Sequence, residues 1–322
     1  MLRNLLSFLS GRKPAERHID YSLGHPEIGA LHESLAARNW PAFEQRFNAL
    51  RADERNVLLS ALAFSSSPVS FDGWTEATGS STAHLFVGTR HFHLGAQARG
   101  AGRGSEVSEE GARRFLAQLD LAIDSLIRAT ELDPKDPEPL FRLIPAFMGS
   151  GRDPELSREL FERCKALCPE HLGAALAMLD VLTPKWQGSN EEMFAFARAH
   201  AESQPLHRSV IAHAHIECWL YSQMRSENAR QARDYFGSKD VSQELMECWE
   251  AESIANSPWR YWELTALNFY AFCFSVMEIQ DLARPVLEAI GDHCTNKPWI
   301  YVTGDCFEAL NLAREDAGLK SV

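Results

Sequence analysis

The chain reads AIDSLIRATELDP at 122–134 and SRELFERCKALCP at 157–169, and laying one over the other decides the fold. Ala122, Leu126, Ala129 and Pro134 fall on Ser157, Phe161, Cys164 and Pro169, a pattern of small, large, small and proline that returns after 35 residues. Steps of four and three put the first three positions on one face of a helix. Small residues there let a neighbouring helix approach, the large one fills the gap to the next pair, and proline ends the helix because it clashes with the preceding turn. A period of this length marks helix pairs that bury their apolar faces against one another.

The same periodicity spreads outward. In 109–132 the residues Phe115, Leu119, Ala122, Ile123, Leu126, Ile127 and Leu132 keep to helical steps and predict one buried stripe. Leu156, Leu160, Cys164 and Leu167 predict a second, and Met193, Phe196, Ala197 and His200 a third. Helix starts are marked by Asp136 before Pro137, Asp153 before Pro154, Ser257 before Pro258, and Ser189 three residues before Glu192. In each case a side-chain oxygen is placed to accept an orphan backbone N–H, and proline at the first position gives up no helical bond. Connections between these segments are short, so neighbouring helices are expected antiparallel and in contact. Farther on, Pro258-Trp259-x-Tyr261 returns as Pro298-Trp299-x-Tyr301, 40 residues later, with Ala283-x3-Leu287-x2-Ile290 between them. Two stretches break the pattern: 65–81 is rich in Ser, Gly and Thr, and 96–108 carries Gly100, Gly102 and Gly104. Both are expected to be irregular loops, with a lightly packed helix over Thr82–Gln97 between them.

Composition is that of a folded protein, with 45% hydrophobic and 24% charged residues. The formal charge of −12 works against a phosphate-tracking surface, so no nucleic-acid partner is expected. It is compatible with a basic protein partner, but solubility alone is the better account of it. Seven cysteines with no Cys-x-x-Cys pair are expected to be reduced, buried small hydrophobes in a cytoplasmic protein. Residues 1–25 are expected to form a tail or docked segment, since the apolar patch Leu2, Leu5, Leu6, Phe8 and Leu9 is too short for a secretory core. Elsewhere the longest apolar stretch, Leu264–Met277, is interrupted by Thr265, Asn268 and Ser275 and is too short to span a bilayer.

Motifs that could carry chemistry are incomplete. His91-x-His93 lacks a neighbouring Asp, Glu or Cys, and residues two apart on a helix face different ways, so neither a metal nor a cofactor is expected there. His213 and Glu217, four apart, predict a structural pair. Gly100-Ala-Gly102-Arg-Gly104 has no preceding strand and no following Lys-Ser/Thr, so its backbone has no reason to cradle a phosphate, although Arg99 and Arg103 are residue types that could bind a carboxylate or phosphate. Neither a Gly-x-Ser-x-Gly elbow nor a His-Glu-x-x-His occurs.

The ordered set Ala98-Arg99-Gly100, Val107-Ser108-Glu109, Leu132-Asp133-Pro134-x-Asp136-Pro137, Pro184-Lys185-Trp186-x-Gly188-Ser189 and Phe196-Ala197-Arg198 is similar to an uncharacterised bacterial family carrying a domain of unknown function. Its members in turn resemble tetratricopeptide proteins. The resemblance spans residues 30–290 and departs at Gln187, where such members commonly have Gly. It implies fold and bacterial origin, and no activity.

The resulting expectation is an all-α chain, a tetratricopeptide-like α-α superhelix forming a single domain over 26–322. Such an array offers a concave groove for a peptide or protein partner, and the function expected is non-enzymatic binding. Arg99, Trp186, Trp259, Tyr261 and Trp262 are the candidate contact residues, and no catalytic residue is assigned. The competing readings are an acidic inhibitor or immunity-type protein that neutralises a basic toxin, and an enzyme or metal- or anion-binding protein using 91–103.

Overall fold

The computed structural model describes residues 19–64, 71–100, 106–186, 188–225, 234–253 and 260–322. Among these residues all regular structure is helical and no strand occurs. No helix among them is long and apolar enough to cross a membrane. Contacts gather into two compact units, Gly24–Val181 and Leu182–Val322, the latter joined by the described part of Met1–Leu23.

The first unit contains α1 (Ile28–Ala36), α2 (Trp40–Asn48), α3 (Ala52–Phe64), α4 (Trp74–Thr78), α5 (Ser81–Arg99), α6 (Glu109–Leu132), α7 (Pro137–Gly149), α8 (Pro154–Leu167) and α9 (Leu172–Val181). The caps read from sequence are in place: Asp136 accepts the Glu138 N–H and Asp153 that of Glu155. Ser257 lies outside the described residues. The predicted helix over 82–97 is α5, capped by Ser80 through the Ala83 N–H. Its packing corrects the expectation of a loose element. A methyl added at Gly88 would stand 2.7 Å from Leu126 Cγ and 3.0 Å from the Ala122 carbonyl oxygen, and one at Gly95 would stand 3.1 Å from Gln118 Cβ. Two glycines seven apart therefore let the α5 backbone close onto α6.

The expected loop over 65–81 needs correction as well. Residues 65–70 lie outside the described set, but 74–78 is a short helix, and Trp74 is fully buried at the centre of an aromatic cluster. It stacks on Trp40 at 4.9 Å, meets Phe43 edge-on at 5.1 Å, and donates its indole N–H to Glu44 at 2.7 Å. Glu44 also accepts the Ser80 hydroxyl, tying the cap of α5 to α2.

A buried polar seam joins α3, α7 and α9. Arg55 pairs with Asp136, Asn56 faces Glu138, and Arg142 donates to the Ser60 hydroxyl at 2.7 Å and the Asn56 carbonyl at 3.1 Å. His171 caps α9 by accepting the Ala174 N–H on Nδ1, so its remaining proton sits on Nε2, which donates to Glu138 at 3.1 Å. Burial works to raise the Glu138 carboxyl, but His171, Arg142 and Arg55 outweigh it and hold the group below its ordinary range. Burial pushes the Arg142 guanidinium down to about 10, which leaves it charged at neutral pH.

The second unit contains a 3₁₀ turn (Pro184–Trp186), α10 (Asn190–Ser203), a second 3₁₀ turn (Pro205–His207), α11 (Ser209–Arg225), α12 (Lys239–Ser253), α13 (Arg260–Val276), α14 (Gln280–Ile290), α15 (Ile300–Thr303) and α16 (Cys306–Asp316). Ser189 caps α10 through the Glu192 N–H, as its spacing predicts. Asn268, fully buried on α13, organises the following loop: its amide donates to the Leu264 and His293 carbonyls, and its oxygen accepts the Thr295 N–H and the Trp299 indole N–H.

The repeat read from α6 and α8 has a third copy. Ala122, Leu126 and Ala129 are buried, as are Ser157, Phe161 and Cys164, and so are Met193, Ala197 and His200 on α10. In the third copy the large residue and a small one exchange places and His200 stands for the second small residue, while all three positions stay buried. The three helices end alike. Asp133, Cys168 and Gln204, each before a proline, adopt φ/ψ of −134/88, −143/87 and −132/82 and donate their N–H to Ala129, Cys164 and His200. Proline forces the extended conformation on the residue before it, and so sets the same exit angle three times. Three residues on, Asp136, His171 and His207 return an N–H to the carbonyl of the cap residue, and all three are buried.

Candidate functional site

The stripes predicted on α6 and α8 are wider than their neighbours cover. Leu119, Ala122, Ile123 and Leu126 are buried, but Ile127 is 39% exposed and Leu132 38%; on α8, Leu160 and Cys164 are buried while Leu156 is 38% exposed and Leu167 40%. These four corrections share a cause. Periodicity shows which face of a helix is apolar, and the extent of the covering partner decides how much of it reaches the interior.

Between α6 and α8 the uncovered margins frame a cavity of about 450 Å³. Its floor is Leu143 and Phe147 of α7 with Leu160 of α8, all buried. Ile127 and Leu156 form its apolar rims, and Pro134 also lines it. The polar rim is Glu131, Glu159 and Arg163. Glu131 pairs with Arg128 at 2.9 Å, whereas Glu159 and Arg163 make no ion pair among the described residues. An apolar trough edged by uncommitted charges suits an amphipathic ligand, because apolar contact supplies affinity and the rim charges fix orientation.

Four of the seven large apolar residues exposed among the described residues obey the repeat. Leu121, 47% exposed, lies 35 residues before Leu156, and Leu132 lies 35 residues before Leu167. In the third copy, on α10, the corresponding positions are Glu192 and Ser203. The period that builds the core thus also writes an outward apolar pattern on α6 and α8, and α10 carries the same skeleton with polar residues there.

The five residues predicted to contact a partner are placed differently. Arg99 closes α5 and donates to the Gly100 carbonyl at 3.1 Å. Trp186 ends the first 3₁₀ turn half-exposed, with its N–H bonded to the Thr183 carbonyl at 2.9 Å. Tyr261 and Trp262 are buried, Trp262 edge-on to His207, which corrects their assignment to a contact surface. Trp259, Arg103 and Gln187 lie outside the described residues. The aromatic density of α13 serves packing: Phe269, Tyr270, Phe272 and Phe274 are all buried.

The titratable groups close on one another. His91 meets Gln118 at 2.8 Å, while the His93 ring stacks on Phe64 at 4.5 Å, so the two imidazoles face different neighbours. His213 Nε2 lies 4.0 Å from Glu217, whose carboxylate also takes Lys185 and accepts the Tyr301 hydroxyl at 2.9 Å. His215 bridges Tyr235 at 2.8 Å and Glu244 at 3.0 Å, and Arg198 grips Glu244 through two bonds. Hydrogen bonds from His215 and Arg198 hold the Glu244 carboxyl down to about 2. The Cys218 thiol beside Tyr235 is pushed up by burial, opposite to what a nucleophile needs. Hydrogen-bonded clusters such as that of His215, Tyr235, Glu244 and Arg198 fasten helices to one another. Compared with known proteins, the chain matches no family model and no curated sequence.

Proposed function

We propose that this chain is a non-enzymatic interaction scaffold of tetratricopeptide-like helix pairs, wound as an α-α superhelix, and that its α6–α8 trough takes an amphipathic helical segment of a partner protein. The observation that carries the reading is the trough itself, a buried apolar floor of Leu143, Phe147 and Leu160 between the exposed Ile127 and Leu156. Exposed apolar residues scattered singly need no explanation, whereas two that flank an apolar trough mark a contact surface. Completing the burial of Ile127 and Leu156 contributes about 1 kcal/mol apiece, since each is already more than half covered. The ligand chemistry follows from the rim: apolar residues at i, i+3 or i+4, and i+7 for the trough, and a cation for Glu159. A formal charge of −12 favours encounter with such a basic segment. Seven thiols, none in a disulfide, fit a reducing compartment, and we place the protein in the cytoplasm.

The test is a displayed library of amphipathic helical peptides with either lysine-rich or glutamate-rich polar faces, selected against the full chain. Lysine-rich sequences should be enriched, and Ile127→Glu with Leu156→Glu should weaken their binding more than about tenfold with no change in thermal midpoint, because both positions are exposed. Selection of peptides indifferent to both substitutions would refute the trough as the site.

A further inference from the structure

Four residues of the second unit form an unbroken line of hydrogen bonds from solvent to a phenol. Arg198, on α10 and 53% exposed, holds Glu244 of α12 through Nε at 2.7 Å and a terminal nitrogen at 3.0 Å. The Glu244 carboxylate lies 3.0 Å from His215 Nε2 on α11, and His215 Nδ1 lies 2.8 Å from the hydroxyl of Tyr235, which precedes α12. The protons along this line have one arrangement. Glu244, held down to about 2, is ionised at neutral pH and only accepts. His215 therefore carries its proton on Nε2, its Nδ1 presents a lone pair, and the Tyr235 hydroxyl donates to it. Burial pushes the Tyr235 phenol up, so the phenolate is not a resting state. Tyr235 also ends a row of rings in contact: Phe236 at 5.3 Å, Trp219 at 6.1 Å from Phe236, Phe272 at 5.6 Å from Trp219, and Trp299 at 5.7 Å from Phe272. Neither indole in that row faces a base. Trp299 donates to the Asn268 amide oxygen, and the buried Trp219 N–H has no hydrogen-bond partner among the described residues.

From this juxtaposition we infer that Tyr235 is a redox-active tyrosine, the residue on which one-electron oxidation of the surrounding aromatic core comes to rest. A one-electron oxidant, a carbonate or peroxyl radical, takes an electron from Trp219 and is reduced to its anion. The indole radical cation keeps its proton, because no base faces its N–H. An electron then passes from Tyr235 to Trp219 by way of Phe236, while the phenol proton crosses to His215 Nδ1. The O–H bond of Tyr235 breaks and an N–H bond forms on the imidazole. The products are a neutral phenoxyl radical, an imidazolium hydrogen-bonded to the Glu244 carboxylate, and the restored indole, so the one positive charge is conserved. It ends beside a carboxylate that compensates it, whereas oxidation without proton transfer would leave a phenol radical cation unpaired in a half-buried site. A thiol or an enediol reductant returns the electron, and His215 returns the proton. Tyr270 offers the alternative trap, but its acceptor is Glu252, whose carboxyl burial raises to about 7, so that much of it already holds a proton at neutral pH. Electron transfer along packed rings needs no substrate cavity, which suits a phenol enclosed by its own neighbours.

The experiment ionises tryptophan in the full chain with a light flash that tyrosine does not absorb, lets dissolved oxygen take the ejected electron, and follows the radicals by transient absorption. Expected is an indole radical signal that gives way to a phenoxyl signal at a rate independent of protein concentration and slower in heavy water, because the O–H bond breaks in the same step. A nitroso spin trap present during the flash should leave its adduct on Tyr235 in the peptide map. Tyr235→Phe keeps the ring packing and should abolish the conversion. His215→Gln should slow it about a hundredfold or more, the ordinary worth of a positioned base. The wild-type adduct map decides the question without either variant, so a variant that fails to fold does not obscure it. The inference is overturned by an adduct on Tyr270, on Tyr301 or on a tryptophan, by decay of the indole signal with no phenoxyl signal after it, by conversion equally fast in light and heavy water, or by conversion undiminished in Tyr235→Phe.

Discussion

Replacing Glu252 by glutamine should remove a pH dependence from the stability of the second unit. Glu252, on α12, accepts the Ser209 N–H at the start of α11 at 2.6 Å and the Tyr270 hydroxyl at 2.6 Å. Burial raises its carboxyl to about 7, against the pull of those two bonds and of Arg208. A carboxyl whose folded value lies above the unfolded one binds its proton more tightly in the native state. Its contribution is therefore complete below the unfolded value of 4.5 and is lost as pH rises through about 7. At about 1.36 kcal/mol per pKa unit, the loss across that window is about 3 kcal/mol. The Glu252→Gln side chain keeps an oxygen for both donors and carries no charge, so the variant should match wild type near pH 5 and exceed it by about 2–3 kcal/mol near pH 8.5. Urea denaturation at the two pH values, with hydrogen exchange of the α11 and α12 amides to localise the effect, measures this. Parallel loss of stability in wild type and Glu252→Gln between the two pH values would refute the argument.

Two packing predictions follow from the same kind of reasoning. Asn268→Ala strands the Thr295 N–H, the Trp299 indole and the His293 carbonyl in a buried site and should cost about 3 kcal/mol or more, read as a lowered thermal midpoint. Gly88→Ala drives a methyl against Leu126 and the Ala122 carbonyl; the overpacking, about 1–3 kcal/mol, should exceed the helix-propensity gain of about 1 kcal/mol. Gly29→Ala, in α1 with nothing within 4 Å, should be neutral or stabilising, and equal stability of the two variants in denaturant would discount the close approach of α5 to α6.

The legible parts of the fold were those written in local chemistry. Asp136, Asp153 and Ser189 sit where a cap precedes an apolar period, and each caps a helix, because the bond spans only two or three residues. Pro134 and Pro169 end their helices for an equally local reason. The third copy of the repeat was hidden by exchanged types, Met193 for a small residue and Ala197 for a large one, which a pattern of sizes cannot recognise although the face stays buried. Trp74 was lost among serines and glycines because its burial depends on Trp40, Phe43 and Phe86, which arrive from other helices. The trough was concealed by the periodicity that found the core, since Ile127 and Leu156 keep helical step and nothing local reveals that no neighbour covers them.

Where α6 and α8 show leucine and α10 shows Glu192 and Ser203, the three inward positions of the repeat stay buried. Skeleton and coat are thus specified by separate letters of one repeating word. Adhesiveness can be granted to a helix pair or withdrawn from it without renegotiating how the pair folds, and leucines written at 192 and 203 would dress the second unit in the livery of the first.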